Sequence, residues 1–162
     1  MIFRNALPEE ASKLTELTLE SKKYWGYSDE LMIIWTDELT IHSEYIEKNM
    51  VLLAEDNKQI LGYISIIEHA SNQIVTVDEW QVTGGFFLDN LFVLPSHIRK
   101  GIGERLVNIA ISWCKEKQIK NLYVYSDPNA KAFYERMGAV CLGEVATSGG
   151  SRPLPLLVIE IN

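Results

Sequence analysis

The segment Arg99–Gly103 places two basic side chains and two glycines directly before a stretch with helical periodicity. Gly101 and Gly103 have no β-carbon, so their backbone can come close to an anion. The first amides of a helix lack partners within the helix and lie at the positive end of its dipole. Lys100 and Arg105 add positive charge beside them. These features predict a cradle for a diphosphate, although a glycine-rich turn that only starts a helix explains the spacing equally well.

The loop differs from the two common nucleotide-binding loops. It lacks the Gly-Lys-Ser/Thr end of a P-loop and the third glycine of a dinucleotide fingerprint. The histidines and cysteines are too scattered along the chain to suggest a ligand set, so we expect no metal. Cys141 has no base near it in the sequence, which argues against a covalent acyl-cysteine mechanism.

The composition argues against several classes of protein. The chain has 162 residues, with 15 Lys and Arg against 22 Asp and Glu, a net charge of −7. This acidic balance argues against a nucleic-acid partner, because phosphate backbones select clustered basic residues. No apolar run approaches the roughly 20 residues that cross a membrane, and charge and proline interrupt the first ten residues before a signal peptide develops. We therefore expect a single soluble cytoplasmic domain over residues 1–162, with no nucleic-acid or membrane partner.

Turn signals and hydrophobic periodicity predict alternating helices and strands. Strands are expected at 2–5, 50–54, 60–67, 86–94, 119–125, 139–146 and 155–161. Helices are expected at 8–25, 28–39, 43–48, 101–117 and 127–137. The segment 70–85 is weakly patterned, although 74–77 is a possible extension of the preceding hairpin, and a flexible loop at 147–150 is expected to separate the last two strands. This order indicates a mixed α/β fold around one sheet.

Two motifs together resemble the GNAT superfamily of N-acetyltransferases. Leu91-Phe-Val-Leu-Pro95, followed by Arg99-Lys-Gly-Ile-Gly103, resembles the acyl-CoA-binding motif of the family, and residues 127–139, DPNAKAFYERMGA, resemble its second signature. The order of elements extends the resemblance over nearly the whole chain. It implies an α/β (α+β) fold with a single mixed, mostly antiparallel central sheet flanked by helices, and acetyl-CoA as co-substrate.

The resemblance also implies which residues bind CoA. Backbone amides of 99–104 would hold the diphosphate, and the backbone of 91–93 would meet the pantetheine arm as an added strand does. The implied set is Leu91, Phe92, Val93, Arg99, Lys100, Gly101, Ile102, Gly103, Glu104, Asn129 and Phe133. Two positions depart from the family pattern: Ile98 replaces the usual Arg or Gln, and Asp127 replaces the usual asparagine. We assign the asparagine's hydrogen bond to Asn129, with Asp127 as the alternative.

The resemblance implies a general acid at Tyr134. This residue follows Phe133 in the pair that the family places at the acetyl end of CoA. Attack of an amine on the thioester gives an intermediate that expels a thiolate, which a neutral phenol can protonate. A tyrosine packed on the sheet is the alternative.

Asp89 is expected to accept the proton of the amine, directly or through water. It lies on the strand before the loop, with the same alternation as Phe87, where the acidic base of the family often stands. An exposed aspartate at a strand end explains the residue equally well, and Glu79 and Asp78, in the segment before the strand, are weaker candidate bases.

The acceptor side is expected near Trp25 and Tyr27, which flank Gly26 at the first helix break. They resemble the wall that faces the substrate in this family, and core packing is the alternative. The resemblance thus implies an N-acetyltransferase that moves acetyl from acetyl-CoA to a primary amine of a small molecule, or of a peptide, by direct attack in a ternary complex. A catalytically silent acyl-CoA-binding sensor is the alternative. We expect a monomer or a homodimer.

Overall fold

The structure is a computed structural model that describes residues 1–146 and 153–162. The strands are β1 Ile2–Asn5, β2 Met50–Asp56, β3 Gln59–Val77, β4 Trp80–Val93, β5 Asn121–Tyr125, β6 Val140–Val145 and β7 Leu154–Glu160. The helices are α1 Ala11–Tyr24, α2 Asp29–Leu39, α3 Ser43–Lys48, α4 Ile102–Glu116 and α5 Lys131–Arg136, with 3-10 turns at Pro8–Glu10, Pro95–His97 and Pro128–Ala130. The loop expected at 147–150 lies outside the described residues.

The strands are hydrogen-bonded in the order β1-β2-β3-β4-β5-β7-β6. The pairs β1–β2, β5–β7 and β6–β7 are antiparallel, whereas β4 and β5 are parallel, with Phe86–Leu88 opposite Leu122–Val124. The expected mixed sheet flanked by helices is confirmed. Within the described part of the chain, no helix has the length and hydropathy of a membrane span.

The chain folds into two compact units. The first contains Met1–Ser65 and Asn90–Ile109, and the second contains Ile66–Asp89 and Ala110–Asn162. In the first unit, Leu14 of α1 is completely buried. The second unit has a core cluster made of Val77, Val82, Phe87 and Leu156, with Ile67, Val75, Tyr123, Tyr125, Leu142 and Val145 packed against it.

The corner between α1 and α2 forms as its sequence predicts. Gly26 adopts a left-handed φ of 78°, a conformation that glycine allows without steric cost, and α1 ends before it. The Ser28 hydroxyl accepts a hydrogen bond from the Leu31 N–H at 3.3 Å and caps the first turn of α2. The break between these helices therefore has a local cause in the sequence.

The hairpin between β2 and β3 also follows its turn signal. Asn57 and Lys58 both have positive φ, 48° and 64°, as a two-residue type I′ turn requires. This turn matches the twist of the flanking strands, so the register of the hairpin is set locally.

The weakly patterned segment 70–85 is instead part of a long β3–β4 hairpin, and the strands expected at 60–67 and 86–94 were too short. All side chains from Ala70 to Ile74 are exposed. A strand without a buried face needs no alternation of apolar and polar residues, so the sequence here lacks the usual strand pattern. Gly84 has a φ of 63°, and a Cβ placed on it would lie 2.7 Å from the Ala70 carbonyl oxygen. This glycine therefore permits close approach within the hairpin and does not end the strand.

Candidate functional site

The loop before α4 has an unusual backbone. Arg99 and Gly101 both adopt left-handed φ values, 62° and 80°. For an arginine this conformation is strained, and such strain is concentrated at ligand-binding and active sites. Apart from Gly101 and its two neighbours in the chain, no atom of the described residues lies within 4 Å of the place where a Cβ on Gly101 would stand. The loop thus presents exposed backbone next to open space.

The first turn of α4 supplies amide donors beside this loop. The helix ladder starts where the Arg105 N–H bonds to the Gly101 carbonyl at 3.1 Å, so the amides of residues 102–104 have no partner one turn earlier in the helix. The buried side chain of Ile102 anchors this turn in the core. These amides and the positive end of the helix dipole suit an anion.

Arg105 was expected to add positive charge to the loop, but its side chain lies elsewhere. Its guanidinium lies over the ring of Phe3 on β1, 4.3 Å from the centroid. The basic side chains of the loop itself are Arg99 and Lys100, and both are exposed.

The end of β4 carries the backbone groups that were expected to meet pantetheine. The Leu94 N–H, just after β4, donates to the Leu61 carbonyl of β3 at 2.8 Å. The backbone groups of Leu94 therefore face β3. Backbone groups alternate in direction along a strand, so those of Phe92 also face β3. The N–H and C=O groups of Leu91 and Val93 therefore point away from β3.

The first unit contains a polar cluster that was not expected from the sequence. The Tyr45 hydroxyl lies 2.8 Å from the Ser65 hydroxyl, and the Asn90 side-chain amide donates to both, at 3.1 and 3.0 Å. Ser65 is completely buried, whereas Tyr45 and Asn90 are half-buried. Little in the sequence signals this cluster: Ser65 interrupts the apolar run 60–67, and Asn90 follows Asp89 in β4.

The corner between α1 and α2 contains two aromatic pairs. Trp25 is 50% exposed and meets Tyr24 edge to face, with ring centroids 5.4 Å apart. Tyr27 meets Trp35 edge to face at 5.0 Å. The Lys22 ammonium lies 5.1 Å from both of these ring centroids, a contact that the sequence analysis did not identify. Trp25 thus projects from a turn and is not part of the core.

Tyr134 lies in the second unit, on α5, and is 5% exposed. Burial, and after it the negative charge of Asp127, raises the pKa of Tyr134, so the phenol stays protonated. The Phe133 ring meets it edge to face at 5.3 Å. Asp127 Oδ1 accepts the Asn129 N–H at 2.9 Å and caps the turn Pro128–Ala130, while Asn129 itself is exposed. The position of the family asparagine is therefore occupied by a capping carboxylate.

Asp89 also lies in the second unit and is exposed. Phe87, two residues earlier, is 2% exposed and packs against three rings: His69 at 4.4 Å, Tyr123 at 5.3 Å and Tyr125 at 5.4 Å between centroids. The place where the family often has its acidic base is thus an aromatic cluster. The cluster also contains the imidazole of His69, which the sequence suggested neither as a metal ligand nor as a base.

The two cysteines do not form a nucleophilic site. Cys114 is buried, and burial raises the pKa of its thiol to about 11, which disfavours the reactive thiolate. Cys141 Sγ donates to the Gly143 carbonyl at 3.7 Å. Nowhere in residues 1–146 and 153–162 do three or more His, Cys, Asp or Glu side chains group as metal ligands would.

The sites expected from sequence are divided between the two units. The first unit contains the β4 end at 91–93, the loop and helix start at 99–104, and the corner with Trp25 and Tyr27; in it, α1 also contacts the Pro95–His97 turn that precedes the loop. The second unit contains Asp89, Asn129, Phe133 and Tyr134.

The sequence matches the Acetyltransferase (GNAT) family over residues 13–139. Among curated proteins, none matches it significantly.

Solved structures with the same fold include acetyltransferases crystallised with CoA or acetyl-CoA. The PaiA N-acetyltransferase of Thermoplasma acidophilum, in complex with CoA, is 20% identical, with a TM-score of 0.72 and 98% of each chain covered. An aminoglycoside 6′-N-acetyltransferase complexed with CoA is 18% identical, with a TM-score of 0.69 and 100% of this chain and 98% of that one covered. A GNAT family acetyltransferase from Brucella melitensis, in complex with acetyl-CoA, is 19% identical, with a TM-score of 0.63 and 98% and 95% covered.

Proposed function

Because the chain belongs to the GNAT acetyltransferase family, we propose that it transfers an acetyl group from acetyl-CoA to a primary amine of a small molecule, by direct attack in a ternary complex. The observation that carries this proposal is the strained, exposed loop at Arg99–Gly101, which continues into the first turn of α4, where the amides have no carbonyl acceptor one turn earlier in the helix. Residues 1–162 would act as one acetyltransferase domain.

CoA would be held mainly by backbone. The amides of residues 99–104 would hold its diphosphate, with Arg99 and Lys100 adding charge. The outward backbone groups of Leu91 and Val93 would bond the pantetheine arm as a neighbouring strand does. Phe92, Phe133 and Asn129 complete the proposed set.

Tyr134 and Asp89 would perform the two proton transfers. A phenol that stays protonated can give its proton to the departing thiolate, and an exposed carboxylate can take one from the attacking amine through water. Most of the rate enhancement would come from holding amine and thioester together.

The acceptor would meet the aromatic corner formed by Trp25 and Tyr27. One structural neighbour is an aminoglycoside acetyltransferase, which supports a small-molecule amine, and a peptide amine would present the same reactive group. The second candidate function is a silent acyl-CoA sensor, which is favoured because Phe87, packed among aromatic rings, takes the position where the family often has its acidic base.

The test is release of CoA thiol from acetyl-CoA in the presence of a panel of amines, including polyamines, aminoglycosides, amino acids and peptides with free N-termini. We expect release that depends on at least one class of amine, with an acetylated product of matching mass. Binding of acetyl-CoA without amine-dependent release would contradict the enzyme and favour the sensor.

A further inference from the structure

The hydrogen-bonded cluster of Tyr45, Ser65 and Asn90 joins three elements of the first unit. Tyr45 is on α3, Ser65 on β3 and Asn90 on β4. The Asn90 amide uses its two N–H groups on two different hydroxyls, and those hydroxyls also bond each other. A closed set of three bonds fixes the side chain more strongly than one bond would, because each bond orients the others.

This cluster lies at the start of the segment proposed to meet pantetheine. Asn90 directly precedes Leu91, and the Leu94 N–H bonds to the Leu61 carbonyl at the other end. Between these points, a Cβ on Gly62 would lie 2.9 Å from the Phe92 carbonyl oxygen, so β3 and β4 approach each other unusually closely there. The backbone of residues 91–93 is thus held against β3 at both ends and in the middle.

Holding this segment matters if its outward groups bind a ligand. A flexible strand end would have to be ordered when pantetheine binds, and that ordering would cost conformational entropy. A strand end that is already fixed presents the Leu91 and Val93 groups at strand spacing before the ligand arrives.

We propose that Asn90 is a positioning residue for the pantetheine arm of CoA: through Tyr45 and Ser65 it fixes the β4 end in the conformation that Leu91 and Val93 need. This inference rests on the proposed function. It concerns only the pantetheine contacts and leaves the diphosphate loop unaffected.

The test compares two ligands that share the adenosine end. CoA contains pantetheine, whereas adenosine 3′,5′-bisphosphate does not. Asn90→Ala should weaken CoA binding about tenfold, since about 1.4 kcal/mol corresponds to a factor of ten, and should leave binding of the bisphosphate unchanged. Asn90→Asp, which keeps the shape but loses both donors, should act in the same direction.

Asn49→Ala is the matched control. Its side-chain amide donates to the Tyr45 carbonyl at 2.9 Å, so the variant removes an asparagine bond from the same helix without touching β4. It should leave both affinities unchanged. If Asn90→Ala does not fold, Tyr45→Phe keeps the bond between Ser65 and Asn90 and should show a smaller loss, again for CoA alone.

Three results would overturn the inference. If Asn90→Ala weakens binding of both ligands equally, the variant damages the fold in general. If it leaves the affinity for CoA unchanged, the cluster does not position the strand. If Asn49→Ala loses as much CoA affinity as Asn90→Ala, the effect belongs to α3. If the parent protein binds neither ligand, the proposed function itself is wrong.

Discussion

At the scale of single residues, Tyr134 is a buried phenol that stays protonated, as a proton donor must. Its raised pKa follows from burial and from the nearby Asp127 charge. Tyr134→Phe keeps the ring and removes only the hydroxyl, so turnover should fall about 10²- to 10⁴-fold. Affinity for acetyl-CoA should change little, because one net hydrogen bond is worth about 1 kcal/mol.

The control for this variant is Tyr125→Phe, which removes another hydroxyl whose pKa is raised by burial but which has no proposed role. Turnover should stay within a few-fold of the parent. Since the protonated phenol is the active form and its pKa lies above the ordinary value of about 10, the rate should show no alkaline loss from this group up to about pH 10. A Tyr134→Phe enzyme of near-parental turnover, with chemistry limiting the rate, would make Tyr134 a packing residue.

Asp89 tests the other proton transfer. If its carboxylate accepts the amine proton, Asp89→Asn should lower turnover at neutral pH and leave acetyl-CoA affinity unchanged. The loss should shrink at high pH, where more of the amine is already unprotonated. Asp56→Asn, at an exposed aspartate at the end of β2, is the control for the change of charge.

An effect of Asp89→Asn that is the same at every pH, or no effect, would remove Asp89 from the mechanism. Glu79 would then be the next residue to replace, and after it His69, whose imidazole packs against Phe87 in the same unit.

At the scale of elements, local signals predicted most helices and the first hairpin. Ser28 caps α2, Gly26 ends the preceding turn, and Asn57 with Lys58 forms the expected tight turn. Each of these features depends on the conformational preference of one or two residues, so it can be predicted from the sequence without knowledge of tertiary contacts.

The length of the β3–β4 hairpin was harder to predict, because no residue in segment 70–85 has a local preference that indicates a long strand. The exposed residues of β3 from 70 to 74 do not alternate between apolar and polar types, and Gly84 allows the two strands to approach closely, which its place in the sequence does not show. The candidate site shows the same division. The glycines of the loop were visible as a motif, whereas the Tyr45, Ser65 and Asn90 cluster joins residues that are 20 to 45 positions apart. Such contacts depend on tertiary packing, so they cannot be predicted from the spacing of residues along the chain.

At the scale of the whole molecule, the net charge of −7 contrasts with the anionic ligand proposed for the loop. Such a field would slow the approach of CoA and speed the approach of a cationic amine, but short-range donors decide what binds. In the loop these donors are backbone amides, which provide a local positive end within an acidic protein.

The most direct test of this account is a calorimetric titration of the parent protein and of Gly103→Val with CoA. The parent should bind one CoA per chain. In the variant, a β-branched side chain would enter the space where the backbone meets the diphosphate, so binding should be lost while the melting temperature stays close to that of the parent. A Gly103→Val protein that binds CoA as tightly as the parent would contradict the account, because the loop would then not be the diphosphate site.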